Sequence, residues 1–302
     1  MTVQLRKFEF TSSSSGPKLL ITGGVHGDEF EPMAAIRRLA KLFEQRTSDV
    51  ADFRGAITFI PVVNESAFLR GHRCGDDGLD LARTCPGRSD GSVTEQTAWA
   101  LSHEIRSANY YIDLHTGGTE LCVYPLSGYM LHTDSAVLET QRRMARAFNL
   151  PIVWGTSGAL EGRSLSVARD ANVPAIYCEY LGSATCDPAG VDAYFAGCLN
   201  VMSELGMLNR ERPASQVHHL VEDAQPNAGH MQICNPSPAT GYFETNVRPG
   251  DAVRVGDRLG TIFPLDGSPS LPITATQSGI VLVLRTFPRV RAGESVGVVL
   301  EL

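Results

Sequence analysis

The 302-residue chain is predicted to be an α/β protein in which a mixed sheet is flanked by helices and followed by a small all-β domain. Short apolar runs alternate with segments of helical spacing over the first two thirds of the chain. Past residues 208–216 the helical period disappears, and Gly and Pro punctuate short strand-like runs. We therefore place a first, α/β domain at 1–212 and an all-β domain at 213–302.

The elements of the first domain follow one another as strands and helices in turn. Apolar runs predict strands at 18–24, 56–63, 110–114, 151–154 and 174–180. Helical spacing of apolar residues predicts helices at 32–45, 94–107, 135–148, 164–171 and 188–206. In such folds the ligand site lies beyond the carboxyl ends of the strands, so polar residues directly after strands are the first candidates for function.

The predicted all-β domain contains an internal repeat. The series Gly241-Tyr-Phe, Val247-Arg-Pro-Gly and Leu259-Gly-Thr-Ile is echoed by Gly279-Ile-Val, Val290-Arg-Ala-Gly and Val296-Gly-Val-Val. Two related hairpin units that face each other would bury their apolar sides, an arrangement that resembles the barrel-sandwich fold of biotinyl and lipoyl carriers over residues 228–302. Those carriers attach their cofactor to a lysine, and this domain has none. A structural or site-covering role remains.

Composition excludes several classes of partner. The net charge is −7 and no long basic run is present, so a nucleic acid would find no electrostatic footprint. No apolar stretch is long enough for a signal peptide or a membrane span. The seven cysteines are scattered without a CxxC pair, which is typical of reduced thiols in a cytoplasmic protein. We expect a small-molecule substrate and leave the oligomeric state, including a homo-oligomer, open.

Three residues at strand ends form a candidate metal site. His26 and Glu29 follow the first strand in a Gly-rich turn, and His115 directly follows the strand at 110–114. Two imidazoles and one carboxylate are a ligand set of catalytic zinc, with the fourth position open for water. The alternative for His115 alone is a side chain that binds loop carbonyls. His219 and Glu222 repeat the spacing, but they lie in the predicted linker and are expected to be surface residues.

Two further carboxylates at strand ends have candidate roles beside this site. Glu179 ends a strongly apolar strand, where an unpaired carboxylate is costly to bury. It is predicted to be the general base that moves protons in amide hydrolysis, with a salt-bridged structural residue as the alternative. Asp113 lies two residues before His115 and points to the same side; it could orient that ligand or cap a turn.

The region after the strand at 56–63 is rich in Gly and Arg. It begins with Asn64 and carries Arg73 and Arg83. Arginines in such a loop suit bidentate capture of a carboxylate, although on their own they would more often be solvated loop charges.

Taken together, these motifs resemble the succinylglutamate desuccinylase/aspartoacylase family. They are H-x-x-E after a strand, N-x-x-A-F before an arginine, D-L-x-R-x-x-P-G, a D-L-H strand end and a late E-x-x-G, in this order over about residues 18–206. The resemblance implies a zinc carboxypeptidase-like fold in which His26, Glu29 and His115 bind one Zn²⁺ per chain and Glu179 is the catalytic base. It implies that Arg73 and Arg83 bind the substrate carboxylate or carbonyl oxygen; Asn64 and Arg163 are further candidates for substrate contact.

One position departs from the family pattern. Relatives commonly read D-L-N-R, and this chain has Ala82 in place of Asn, so an amide that helps to hold the substrate is missing. The leading hypothesis is a zinc amide hydrolase that deacylates a small N-acyl amino acid or a close analogue. A zinc carboxypeptidase that acts on peptides shares the metal chemistry, and an inactive zinc-binding scaffold is the third hypothesis.

Overall fold

The computed structural model describes residues 3–226, 228–231 and 234–302. The strands are β1 Phe8–Thr11, β2 Lys18–Thr22, β3 Ala56–Ile60, β4 Tyr110–His115, β5 Leu121–Met130, β6 Ile152–Thr156, β7 Ala175–Gly182, β8 His219–Glu222, β9 Gly241–Thr245, β10 Ala252–Val253, β11 Arg258–Pro264, β12 Leu271–Thr274, β13 Gly279–Arg285, β14 Arg289–Val290 and β15 Gly297–Leu300. The α-helices are α1 Phe30–Glu44, α2 Glu65–Arg70, α3 Val93–Arg106, α4 Ser135–Phe148, α5 Ser164–Asp170 and α6 Pro188–Glu204.

Helix boundaries follow from local capping chemistry. Ser92 and Glu95 form a reciprocal capping box at the start of α3. Asp187 caps α6 and is followed by Pro188 in the first turn, where a missing N–H costs nothing. Asn149 ends α4 in the left-handed conformation, at φ 70°. These signals explain why the predicted helices lie close to the observed ones.

The large sheet is mixed and carries the candidate residues at the carboxyl ends of its parallel strands. Strands β3, β2, β4 and β7 are parallel neighbours, with β1 antiparallel to β3 and β5 antiparallel to β7. The carboxyl ends of the parallel strands therefore meet along one line, where ligand sites of such sheets form. The helices α1, α4 and α6 cover one face through a large apolar cluster, and α3 and α5 cover the other. The α/β fold that the sequence predicts is confirmed.

Strand β5 joins the large sheet to the C-terminal part of the chain. On the side away from β7, Leu121–Val123 pairs with β13 and Leu126–Met130 pairs with β6. Beyond β6 lies β8, so His219 and Glu222 belong to a strand of the large sheet and not to a linker as predicted. The boundary that we place at residue 212 falls between α6 and β8 and stays a prediction.

The C-terminal residues also form a second, antiparallel sheet, in the order β12-β11-β9-β14. Side chains of this sheet and of β13 and β15 fill one apolar cluster, which includes Phe243, Ile262, Val281 and Val299. The two repeat units thus bury their apolar sides against each other, as the repeated motifs predict. Among the described residues, no helix is both long and apolar enough to cross a membrane.

Candidate active site

The loop between β2 and α1 brings His26 and Glu29 together. The distance between His26 Nδ1 and Glu29 Oε1 is 2.6 Å, and both side chains are buried. Gly27 allows this loop to pass close to α2, because a Cβ at residue 27 would lie 2.0 Å from the backbone carbonyl carbon of Ala67. The local sequence therefore folds so that both side chains face the same point.

His115 completes the cluster from the end of β4. Its Nδ1 lies 3.1 Å from Glu29 Oε2, and its backbone carbonyl accepts a hydrogen bond from the hydroxyl of Tyr194. Ligand atoms of His26, Glu29 and His115 lie within 4.8 Å of one another. The structure thus brings together the three residues that the sequence predicts as metal ligands.

The far nitrogen of each imidazole contacts a second carboxylate. His26 Nε2 lies 3.1 Å from Asp80 Oδ1, and His115 Nε2 lies 3.1 Å from Asp113 Oδ2. A carboxylate at this position fixes the ring and leaves Nδ1 to face the shared point, as in metal sites where a histidine ligand donates its other N–H to a carboxylate. The donor set and its supports fit a divalent metal such as zinc.

The electrostatics of the cluster agree with this donor set. Burial alone would raise the pKa of Glu29, but His26 and His115 lower it to about 2, so this carboxylate is ionised. Burial lowers the pKa of His115, and the charges of Asp113 and Glu29 outweigh that effect and raise it. Carboxylate charge therefore lies next to the imidazoles of the cluster.

Glu179 faces the same cavity from the adjacent strand. It is in parallel register with His115, is buried, and has an Oε2 atom that contacts no hydrogen-bond partner among the described residues. Burial raises its pKa to about 8, and the positive charge of His115 opposes the rise. A nearby cation would lower this pKa, which is the tuning that a general base near neutral pH requires.

Three arginines line the cavity beside His26, Glu29 and His115. Arg73 donates from Nε to Asp80 Oδ2 at 3.0 Å, so Asp80 connects His26 to a cavity arginine. Arg163 donates to the carbonyl of Gly229 at 3.4 Å. Burial, and then the charge of Arg163, lower the pKa of Arg83 to about 10. A substrate carboxylate would relieve this accumulation of positive charge.

Asn64 is placed differently from the other predicted residues. It is the N-cap of α2, where its side-chain oxygen accepts from the backbone N–H of Ala67 at 3.1 Å. It is fully buried and is not part of the cavity lining. The structure therefore gives Asn64 a local structural role as a helix cap. It does not place Asn64 among the residues that could contact a substrate in this cavity.

The cavity has a volume of about 80 Å³ and walls from both parts of the chain. Gly229 and Met231, from the predicted all-β domain, line it together with residues that follow the parallel strands. Ala82 is also on the wall, so the missing amide leaves an apolar surface at that point. This small volume favours a small ligand over an extended chain.

Tyr177 forms part of the wall and depends on a glycine. It is paired with Gly128 of β5, and a Cβ at Gly128 would lie 2.3 Å from two ring atoms. We expect Gly128→Ala to lower the free energy of unfolding by about 1–3 kcal/mol, because the ring has to move. Denaturant unfolding measures this, and the cost should shrink in a Tyr177→Leu background. Equal costs in both backgrounds would contradict the contact.

Sequence reasoning missed the roles of Asp80 and Ser164. Asp80 opens the D-L-x-R string, but its contact with His26 spans 54 residues and is not visible in the string itself. Ser164 donates to Asp113 across 51 residues. Spacing in the chain gives no signal for either contact, because both arise from the way the sheet aligns separate loops.

Comparisons with known proteins agree on one family. Residues 15–205 match the succinylglutamate desuccinylase/aspartoacylase catalytic domain. The N-alpha-acetyl-L-2,4-diaminobutyric acid deacetylase of Halomonas elongata is 29% identical over 297 residues, which are 95% of this chain and 83% of the relative.

Solved structures give the same result. The product-bound ectoine utilization protein EutE (DoeB) of Ruegeria pomeroyi has a TM-score of 0.86 and 26% identity, over 98% of this chain and 89% of that one. A succinylglutamate desuccinylase/aspartoacylase of Rhodobacter sphaeroides has a TM-score of 0.86 and 26% identity, over 99% and 90%. The chain belongs to the succinylglutamate desuccinylase/aspartoacylase family.

Proposed function

We propose that the protein is a zinc-dependent amide hydrolase that removes the acyl group from a small N-acyl amino acid or a close analogue. The observation that carries this proposal is the buried His26, Glu29 and His115 cluster with Glu179 facing the same cavity. The relative from Halomonas elongata is a deacetylase of an N-acetyl diamino acid, which supports deacylation as the reaction class.

Each residue has a defined part in the proposed reaction. His26, Glu29 and His115 would hold the metal, which when bound polarises the amide carbonyl and the attacking water. Glu179 accepts a proton from that water and delivers it to the amide nitrogen as the C–N bond breaks, so that a carboxylic acid and an amine are formed. Arg73 lies against Asp80, close to His26, and is suited to steady the developing negative charge on the carbonyl oxygen.

A hydrolysis screen with metal analysis tests this function. Purified protein should contain about one zinc per chain and cleave N-acyl amino acids, with N-acetyl-2,4-diaminobutyrate, N-acetylaspartate and N-succinylglutamate in the panel. Short peptides with blocked amino ends should be poor substrates, because the cavity that Gly229 and Met231 help to line has a volume of only about 80 Å³. Cleavage of peptides in preference to the acyl amino acids would favour a carboxypeptidase, and no turnover with full zinc would favour an inactive scaffold.

Recognition of the substrate carboxylate is assigned to Arg83. The guanidinium can form two charge-assisted hydrogen bonds to a carboxylate, whereas an ammonium cannot reproduce that fork. We therefore expect Arg83→Lys to lower kcat/KM for a free-acid substrate by roughly tenfold or more, since bonds to charged groups contribute about 1.5–3 kcal/mol. The amidated substrate should be cleaved poorly by the wild type and affected little further.

The control is Arg88→Lys, because Arg88 is exposed and pairs with Glu95 at 3.1 Å outside the cavity. That variant should match the wild type on both substrates. An equal fractional loss on free and blocked substrates in Arg83→Lys would contradict carboxylate recognition by Arg83 and direct the search to Arg73 or Arg163.

A further inference from the structure

A buried chain of hydroxyl groups ends on Asp113, behind the predicted ligand His115. Asp113 is completely buried; its Oδ2 atom accepts from the hydroxyl of Ser164 and lies 3.1 Å from His115 Nε2. Its Oδ1 atom accepts from Thr22 Oγ1 at 2.7 Å. Because the Thr22 proton points to the carboxylate, Thr22 Oγ1 accepts in turn from the hydroxyl of Tyr111, at 2.8 Å. Thr22, Tyr111 and Asp113 are fully buried, and Ser164 is 5% exposed.

The fold places these hydroxyl groups in register. Thr22 ends β2 directly opposite Asp113 on β4, and Tyr111 precedes Asp113 by two residues on the same face of the strand. Ser164 comes from a different element, the first position of α5, and reaches the carboxylate from the cavity side. Two independent parts of the fold therefore converge on one carboxylate.

The hydroxyl of Ser164 does not cap α5, the helix to which Ser164 belongs. At the start of α5 the hydroxyl of Ser166 accepts from the backbone N–H of Arg163, whereas the Ser164 hydroxyl donates to Asp113. The preceding residue, Arg163, lines the cavity with its guanidinium. Two consecutive residues thus serve two parts of the site. Arg163 lines the proposed substrate site, and Ser164 donates a hydrogen bond to Asp113, which contacts the predicted ligand His115.

We propose that Ser164 and Thr22 are positioning residues that hold the Asp113 carboxylate toward His115 and thereby set the affinity of the site for its metal. The inference rests on the proposed function, since it takes His115 to be a ligand. A buried carboxylate that loses a donor is left partly unsatisfied and is no longer fixed in one position, so it holds the imidazole less firmly. The partners of a histidine ligand commonly change metal affinity by roughly 10–100-fold.

Zinc affinity of the complete protein, measured by competition with a chelator of known affinity, tests the proposal. We expect Ser164→Ala and Thr22→Val each to weaken zinc binding by about tenfold. Ser164→Thr and Thr22→Ser keep the hydroxyl and should stay close to the wild type. The matched control is Ser127→Ala, which removes an equally buried hydroxyl that donates to the carbonyl of Ala145, away from the chain on Asp113.

A second background separates action through Asp113 from a general effect on folding. In Asp113→Asn protein, Ser164→Ala should cause no further loss of zinc affinity, because the carboxylate through which it acts is gone. Absorption spectra of the Co²⁺-substituted protein should change in Ser164→Ala and not in Ser127→Ala. Melting temperatures of the variants, compared with that of Ser127→Ala, identify any loss that comes from unfolding.

The outcomes are distinguishable. Zinc affinity of Ser164→Ala within about twofold of the wild type, or a full additional loss in the Asp113→Asn background, would overturn the positioning role while leaving the proposed function intact. Wild-type protein that binds no zinc would instead overturn the proposed function.

Discussion

Replacement of Glu179 by Gln is expected to leave bound zinc unchanged and to lower kcat by at least about a hundredfold, the usual effect of removing a general base. Gln has the shape of Glu but cannot accept the proton of the attacking water. The buried Oε2 atom of Glu179 contacts no hydrogen-bond partner among the described residues, so the substitution breaks no structural bond of that atom. Zinc content and kcat should be measured on the same sample.

The matched control for this variant is Glu31→Gln. Glu31 is also a buried glutamate with an Oε2 atom lacking a partner among the described residues, and its Oε1 accepts from the backbone N–H of Asp187. It is not part of the cavity lining, so its substitution should leave kcat within about twofold of the wild type. Near-normal turnover of Glu179→Gln would show that Glu179 is structural.

His115→Ala should lose zinc and activity together. The change removes one of the three proposed ligands and leaves the buried Asp113 without the imidazole that it contacts at 3.1 Å. We expect turnover to fall by at least about a hundredfold, toward the uncatalysed rate, because polarisation of the carbonyl depends on the metal. Inductively coupled plasma mass spectrometry of the purified variant measures the zinc content.

The chain contains its own control for the ligand assignment. His219 has the same H-x-x-E spacing to Glu222 but lies on β8, at the far side of the large sheet from the cluster. His219→Ala should therefore keep zinc and activity. Full zinc occupancy in His115→Ala would contradict the assignment of His115 as a ligand.

The fold was largely predictable because its signals are local. Helices with clear caps, such as α3 after Ser92, and buried parallel strands, such as β2, are encoded by neighbouring residues. Strand β5 was missed because it contains Pro125 and Gly128, residue types that are depleted in strands. The structure accommodates Pro125 at a register shift between Val123 and Leu126, and Gly128 makes room for an aromatic ring.

The candidate site was predictable to the extent that it follows strand ends. His26, His115 and Glu179 come together because parallel strands align their carboxyl ends, and the sequence alone indicates those strands. The residues that contact or orient the predicted ligands do not all lie at strand ends. Asp80 and Ser164 reach the cluster from loops and a helix start that no sequence period places.

Strand β5 pairs both with strands of the first part of the chain and with β13 of the C-terminal part. This pairing limits which fragments could be exchanged between relatives. Leu121–Val123 pairs with β13, and Leu282 and Val283 pack against Val123 in the same apolar cluster. A fragment cut after residue 205, at the limit of the family match, would leave backbone N–H and C=O groups of β5 and β6 without their partners. Such an open strand edge is a template for aggregation. A fragment exchanged between relatives without exposing that edge therefore has to include β8 and β13.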